Sequence, residues 1–393
     1  MIVKKVIIDK ANRLHQLPPD IFSFAKNKLK PSLIKKTELI DLARFQWPIT
    51  MDEGLLPKEA GFKPAEVKRI NQLKDLLIEW FDTYHKVKIK PNELFIGGRI
   101  SSLIFKVALA FIDYGDIAFV PDLGHPLYKK VITAAGGEPV SYSINYKNHW
   151  QPRFDRINTR LGRVARLLFL NSPHNPTGAV LNEKEWENLI WIASRENIML
   201  INDAAYQSYS ERIPPSLIAT NGGKKVGIEI YSFPYLFGLP YLPFGFAVGN
   251  KDIINGLKQA SLLIPDYIPN YYIDIALRAI HEYPNEVLVK MRKNCRQAAG
   301  VAQDLFDLLD LEKSNYDTIP FLWAKTEKLR QSTSLTNILY HRYRILTIPG
   351  SSFGDTGEEY LRFSLTAGSE SFHKAYERIK NKPRLLRKRV NKQ

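Results

Sequence analysis

The chain has 393 residues, 45% apolar and 24% charged, an ordinary globular composition with enough length for two packed domains. No stretch reaches the roughly 18 uninterrupted apolar residues of a membrane span, and charges interrupt the apolar run at the start, which argues against a signal peptide. The net charge of +16 is concentrated at the ends: residues 1–36 and 380–393 carry +7 each, so the body is nearly neutral and a broad nucleic-acid groove is not expected there. Cys295 is the only cysteine, which rules out an intrachain disulfide and fits a reducing cytoplasm.

Taken in chain order, "PDIFSFAKNKLKPSLIKK" predicts a short helix with Ile21, Phe22, Ala25 and Leu29 on one face, and "LIDLARF" (39–45) predicts an apolar strand that ends before Trp47-Pro48. "AEVKRINQLKDLLIEWFDTYHK" places Ile70, Leu73, Leu76, Leu77 and Phe81 at helical spacing. "ELFIGG" and "IAFVPD" then read as strands flanking the helix "SSLIFKVALAFIDYG". A helix around Tyr128–Ala135, the strand "VARLLFLNSP", the helix "NEKEWENLIWIASREN" and the strand "IMLINDAA" follow. Near-continuous apolar strands separated by helices predict an α/β fold with a mostly parallel sheet covered on both faces. Beyond residue 250 the pattern becomes helical (around 274–282 and 285–309). It then turns into a smaller α+β unit: "TIPFLWAKT", a helix through 334–342, "ILTIPG", "YLRFSLT" and a last helix near 370–380.

Ligands of a parallel sheet sit beyond the carboxyl ends of its strands. "FLNSPHNPTG" ends one strand with Asn175-Pro176-Thr177-Gly178, and "LINDAAY" ends the next with Asp203 and, three residues on, Tyr206. "YSFPYLFGLPYLPFGFAVGN" (231–250) forms a loop closed by a glycine-bounded strand, and "PGSSFG…EEYLRFSL" puts Arg362 on a strand of the small unit. Each has an ordinary structural explanation when taken alone. An Asn-Pro-Thr-Gly run is most often a turn, a strand-end aspartate a helix cap, and a strand arginine the partner of a nearby acid.

In order, these stretches resemble the class I/II, fold type I aminotransferases that use pyridoxal phosphate, nearest their LL-diaminopimelate and aspartate branch. "DYGDIAFVPDLGHPLY", "AAGGEPV", "NSPHNPTGAV" and "PGSSFGDTGEEYLRFSL" follow the family order across nearly the whole chain. The resemblance implies an amino-terminal arm with part of the small domain (1–40), a large cofactor-binding α/β domain (41–275) and a small α+β domain (276–380); the charge run at 381–393 reads as a basic, disordered tail. It implies a homodimer acting on an amino acid or 2-oxo acid. It also implies roles for individual residues. Asn175 would bond the cofactor's ring hydroxyl, and Asp203 would keep the pyridine nitrogen protonated so that the ring accepts electrons. Tyr206 would contact the ring oxygen, and Arg362 would fork onto a substrate α-carboxylate. His125 stands where an aromatic stacks on the ring. Ser232 keeps one hydroxyl of the loop, and Ser101 and Ser102 fall at the phosphate-binding helix start with a one-residue shift.

The departures lie in one loop. Matched backwards from Gly245-Phe246-Ala247, Tyr235 takes the position of the lysine that links to the cofactor, Pro234 that of a serine and Pro243 that of the phosphate-binding arginine. A phenol cannot condense with a carbonyl, and an unperturbed tyrosine pKa of about 10 makes it a poor base. Arg44 and Phe45 stand where the family has a glycine-rich stretch and are expected to crowd the substrate pocket. The sequence therefore leaves three readings open. One is a degenerate homologue with little or no transaminase activity that holds pyridoxal or pyridoxamine phosphate non-covalently, if at all. The second is an active enzyme using Tyr235 or His125 as its proton carrier. The third is a structural or partner-binding protein using its basic ends.

Overall fold

The structure, a computed structural model, describes residues 11–25, 38–46, 63–153, 164–210, 212–239, 242–313, 318–326 and 331–381. Most of both basic ends, residues 26–36 of the first expected helix, and Trp47-Pro48 lie outside the described residues. Among those described, no helix is long and apolar enough to cross a membrane.

Eight strands form the main sheet: β2 (Leu94–Gly98), β3 (Ile117–Pro121), β4 (Glu138–Ile144), β5 (Pro152–Arg153), β6 (Ala165–Asn171), β7 (Met199–Asp203), β8 (Gly227–Ser232) and β9 (Phe244–Gly249). Their spatial order is β2-β9-β8-β7-β6-β3-β4-β5. The stretch from β8 to β4 is parallel; β9 runs antiparallel to both of its neighbours, and β5 is antiparallel to β4. β3, β8 and β9 are buried along their whole length, which explains their unbroken apolar runs. The expected α/β fold is what the chain adopts.

The helices that cover this sheet begin with the expected amphipathic one, α1 (Val67–His85), which buries Leu73, Leu77, Trp80 and Phe81 and ends with Lys86 in the left-handed region at φ 55°. Next come α2 (Ile100–Phe111), α3 (Leu127–Ala135) and α4 (Glu183–Glu196). The start of α4 is fixed by a capping box: Asn182 Oδ1 accepts from the Glu185 N–H at 3.0 Å, and Glu185 Oε2 accepts from the Asn182 N–H at 2.7 Å. A short α5 (Phe233–Phe237) follows β8, and α6 (Lys251–Leu263) follows β9.

A second, antiparallel sheet of order β10-β11-β14-β13 is built from β10 (Leu311–Lys313), β11 (Phe321–Thr326), β13 (Ile348–Pro349) and β14 (Tyr360–Ser364). Its core is shared with the 24-residue helix α8 (Glu286–Leu309) and the last helix α10 (Gly368–Lys380); α7 (Asn270–His281) precedes α8 in the chain and α9 (Ser332–Tyr343) precedes α10. The expected strand 39–45 is shorter than its apolar run. Only β1 (Ile40–Asp41) pairs as a strand, in parallel with β12 (Ile345–Leu346); the Leu42 N–H still donates to the Leu346 carbonyl at 2.9 Å, but its own carbonyl accepts from the Ser364 N–H at 2.7 Å and the Ala43 carbonyl accepts from Arg362.

Candidate active site

The strand register brings the expected site residues to one edge of the main sheet. Asn171 and Asp203 sit opposite each other at the ends of β6 and β7. Ser232 ends β8 opposite Gly245, and Gly98 ends β2 opposite Phe244. Gly245 is required there, since a Cβ would lie 2.2 Å from the Tyr231 carbonyl oxygen. The glycine frame of the loop is thus demanded by strand packing, whatever chemistry the loop performs.

Asp203 lies on the floor of this edge. Its Oδ2 accepts from the Tyr128 hydroxyl at 2.8 Å and its Oδ1 from the Ala205 N–H at 3.1 Å. Burial pushes the carboxyl up to about 6, against these two donors, which hold it down. The motif "LGHPLY" points to His125, whereas the residue that meets Asp203 is Tyr128, three residues on and inside α3. Asn171, also missed, holds the turn in place: its Nδ2 donates to the Asp203 carbonyl at 2.7 Å and its Oδ1 accepts from the Asn175 N–H at 2.8 Å.

Among the described residues, Arg362 pairs with no acid. It projects from β14, 2% exposed, and its two terminal nitrogens donate to Asn175 Oδ1 at 3.0 Å and to the Ala43 carbonyl at 3.2 Å. Its Nε is buried without a partner, and the guanidinium stacks 3.9 Å from the centre of the Phe321 ring. Burial lowers it to about 10, with the Tyr206 and Tyr235 phenols pulling the other way. Among the described residues it is thus a buried cation held only by neutral groups, which is costly for the fold.

Tyr206 is buried, and its hydroxyl shares a hydrogen bond with Tyr235. Tyr235 lies in the first turn of α5, its ring 5.1 Å from that of Tyr206 and 5.0 Å, edge-on, from that of Phe45. Phe45 therefore fills the space above Tyr235, whereas Arg44 turns away to an exposed ion pair with Asp41. Burial raises the Tyr235 phenol above its ordinary value; Arg362 and Arg99 oppose that rise.

A cavity of about 520 Å³ opens beside Tyr235, lined by Arg99, Ile100, Ser101, Ser232 and Pro243 among others, with no lysine among the described residues that line it. Ser102 faces elsewhere: its hydroxyl donates to Asp266 Oδ1 at 3.1 Å, while Asp266 Oδ2 accepts from the Gly98 N–H at 2.6 Å and pairs with the buried Lys106. A Cβ at 98 would lie 2.3 Å from the Asp266 carboxylate and would displace it. His125 lines a separate cavity of about 410 Å³ with Asp20, Phe24 and Tyr128. Its Nδ1 accepts from the Leu127 N–H at 3.2 Å, and burial, with Arg362, lowers the ring to about 4.

Comparison with known proteins agrees with this layout. An LL-diaminopimelate aminotransferase of Halothermothrix orenii is 27% identical over 386 residues, covering 95% of this chain and 98% of that relative. One from Aquifex aeolicus is also 27% identical, over 383 residues, covering 94% and 98%. Among solved structures, substrate-bound BacF from Bacillus subtilis superposes with a TM-score of 0.86 at 24% identity, covering 95% of this chain and 98% of that one. The family model "Aminotransferase class I and II" matches residues 65–379. The chain belongs to the class I and II aminotransferase family.

Proposed function

We propose that this protein binds pyridoxal or pyridoxamine phosphate without a covalent link and has little or no transaminase activity. The family is pyridoxal-phosphate dependent and works on amino and 2-oxo acids. The cofactor supplies an electron-accepting ring when bound. The residues at the sheet edge fit such a group in part. Asp203 would offer a desolvated carboxylate to a ring nitrogen, with Asn175 and Tyr206 beside it, and Ser101 and Ser232 line the cavity at the far end. Arg362, with its orphaned Nε, fits a ligand carboxylate. The observation that carries the reading is Tyr235, buried between Tyr206 and Phe45 where the resemblance expects an amine.

Neither alternative proton carrier suits the work of a base. Burial holds the Tyr235 phenol protonated at neutral pH. His125 is neutral, but its acceptor nitrogen is taken by the Leu127 N–H, which leaves the ring proton on Nε2. Loss of a placed acid–base group costs about 10² to 10⁴ in rate.

A homodimer in a reducing cytoplasm completes the proposal. The exposed Leu262, Leu263 and Tyr267, next to Asp266, give the chain an apolar surface for a second copy. Sedimentation showing a monomer at micromolar concentration would remove that part. For the chemistry, calorimetric titration with pyridoxamine phosphate should show saturable binding, while amino transfer from a panel of amino acids to 2-oxoglutarate stays at background. Turnover at ordinary enzymatic rates would reject the reading.

A further inference from the structure

We propose that Arg99 supplies the positive charge at the phosphate end of the cleft, replacing the arginine whose position Pro243 takes. The proposal rests on the reading that the cleft holds a phosphorylated pyridine, and adds the residue that carries the phosphate's charge.

Arg99 is the N-cap of the 12-residue helix α2. Its carbonyl accepts from the Ser102 and Leu103 N–H groups at 2.8 and 3.0 Å, closing the first turn. The N–H groups of Ile100 and Ser101 meet no acceptor among the described residues, and both residues line the 520 Å³ cavity. Ser232 forms the facing wall. It is 5% exposed, ends β8, and its hydroxyl has no partner among the described residues. Two uncommitted backbone donors, a buried uncommitted hydroxyl and the positive end of a helix thus face one space.

Two cations stand at this helix, and they differ in one respect. Lys106 is buried and already neutralised by Asp266. Arg99 lines the cavity, and among the described residues it has no ion pair or hydrogen-bond partner. Its charge is felt at the Tyr235 phenol on the opposite side of the same space. Pro243, on the cavity wall, offers neither charge nor N–H. A phosphate seated against Ser232 and the start of α2 would therefore meet Arg99 as its only uncommitted cation among the described residues that line this cavity.

The test compares pyridoxal phosphate with pyridoxal, which lacks the phosphate, by calorimetry at low salt on the wild type, Arg99→Ala and Arg99→Lys. The wild type should prefer the phosphorylated form. Arg99→Ala should shrink that preference about ten- to hundredfold while leaving pyridoxal affinity unchanged. Arg99→Lys should restore most of the preference, and added salt should erode it in the wild type more than in Arg99→Ala. An unchanged preference in Arg99→Ala overturns the role of Arg99 and leaves the cofactor reading standing. If the wild type binds neither compound, the cofactor reading falls and this proposal with it.

Discussion

The floor of the cleft and the loop that closes it are built on opposite terms. The floor, around Asp203, Asn175 and Arg362, holds groups the fold would be better off without. One carboxyl is raised to about 6, and one guanidinium is lowered to about 10 with an orphaned Nε. The loop side, around Tyr235, Phe45 and Tyr206, is packed as an ordinary aromatic cluster, with ring centres 5.0–5.1 Å apart. Buried charges without counter-charges persist where a ligand repays their desolvation. A packed ring needs no such reason. On the proposed reading, the floor serves ligand binding, while the Tyr235 side of the loop serves packing.

Mutation should separate the two regions by sign. Tyr235→Ala removes a ring that contacts Phe45 and Tyr206, and is expected to cost about 3 kcal/mol in urea denaturation. A neutral result would show that the loop is not packed for stability. On the floor, Asp203→Asn should do the reverse, gaining roughly 1–3 kcal/mol at neutral pH while cofactor binding is lost. The sign follows from linkage. A carboxyl whose folded value, about 6, lies above its ordinary value of 3.8 opposes folding when charged. That cost is fully present above about 6 and vanishes as pH falls below about 4, so wild type and Asp203→Asn should converge in stability across that window. A constant gap between them would mean Asp203 is not desolvated as described.

Much of the floor was legible in the sequence because parallel strands deliver their ends to one edge. Once "FLNSPHNPTG" and "LINDAAY" read as strand ends, their turns had to meet: Asn171 pairs opposite Asp203 and carries Asn175 beside it. Partners one helical turn or a whole domain away were not legible. Tyr128 reaches Asp203 only because α3 turns that face inward. Asp266 sits in "LLIPDYIPN", a stretch without periodicity, and finds Gly98 across 168 residues of chain. The antiparallel run of β9 was hidden as well, since a buried strand has the same apolar pattern in either direction. Phe45 was readable as a bulky intruder, while Arg44 was not readable as a side chain that turns back to Asp41.

The central claim, that this cleft holds its cofactor without a lysine link, is tested most directly by borohydride reduction of the protein saturated with pyridoxal phosphate, followed by peptide mass spectrometry. Wild type should carry no stoichiometric pyridoxyl mass on any lysine, whereas Tyr235→Lys should acquire one at residue 235. A single lysine of the wild type labelled one-to-one would contradict the account.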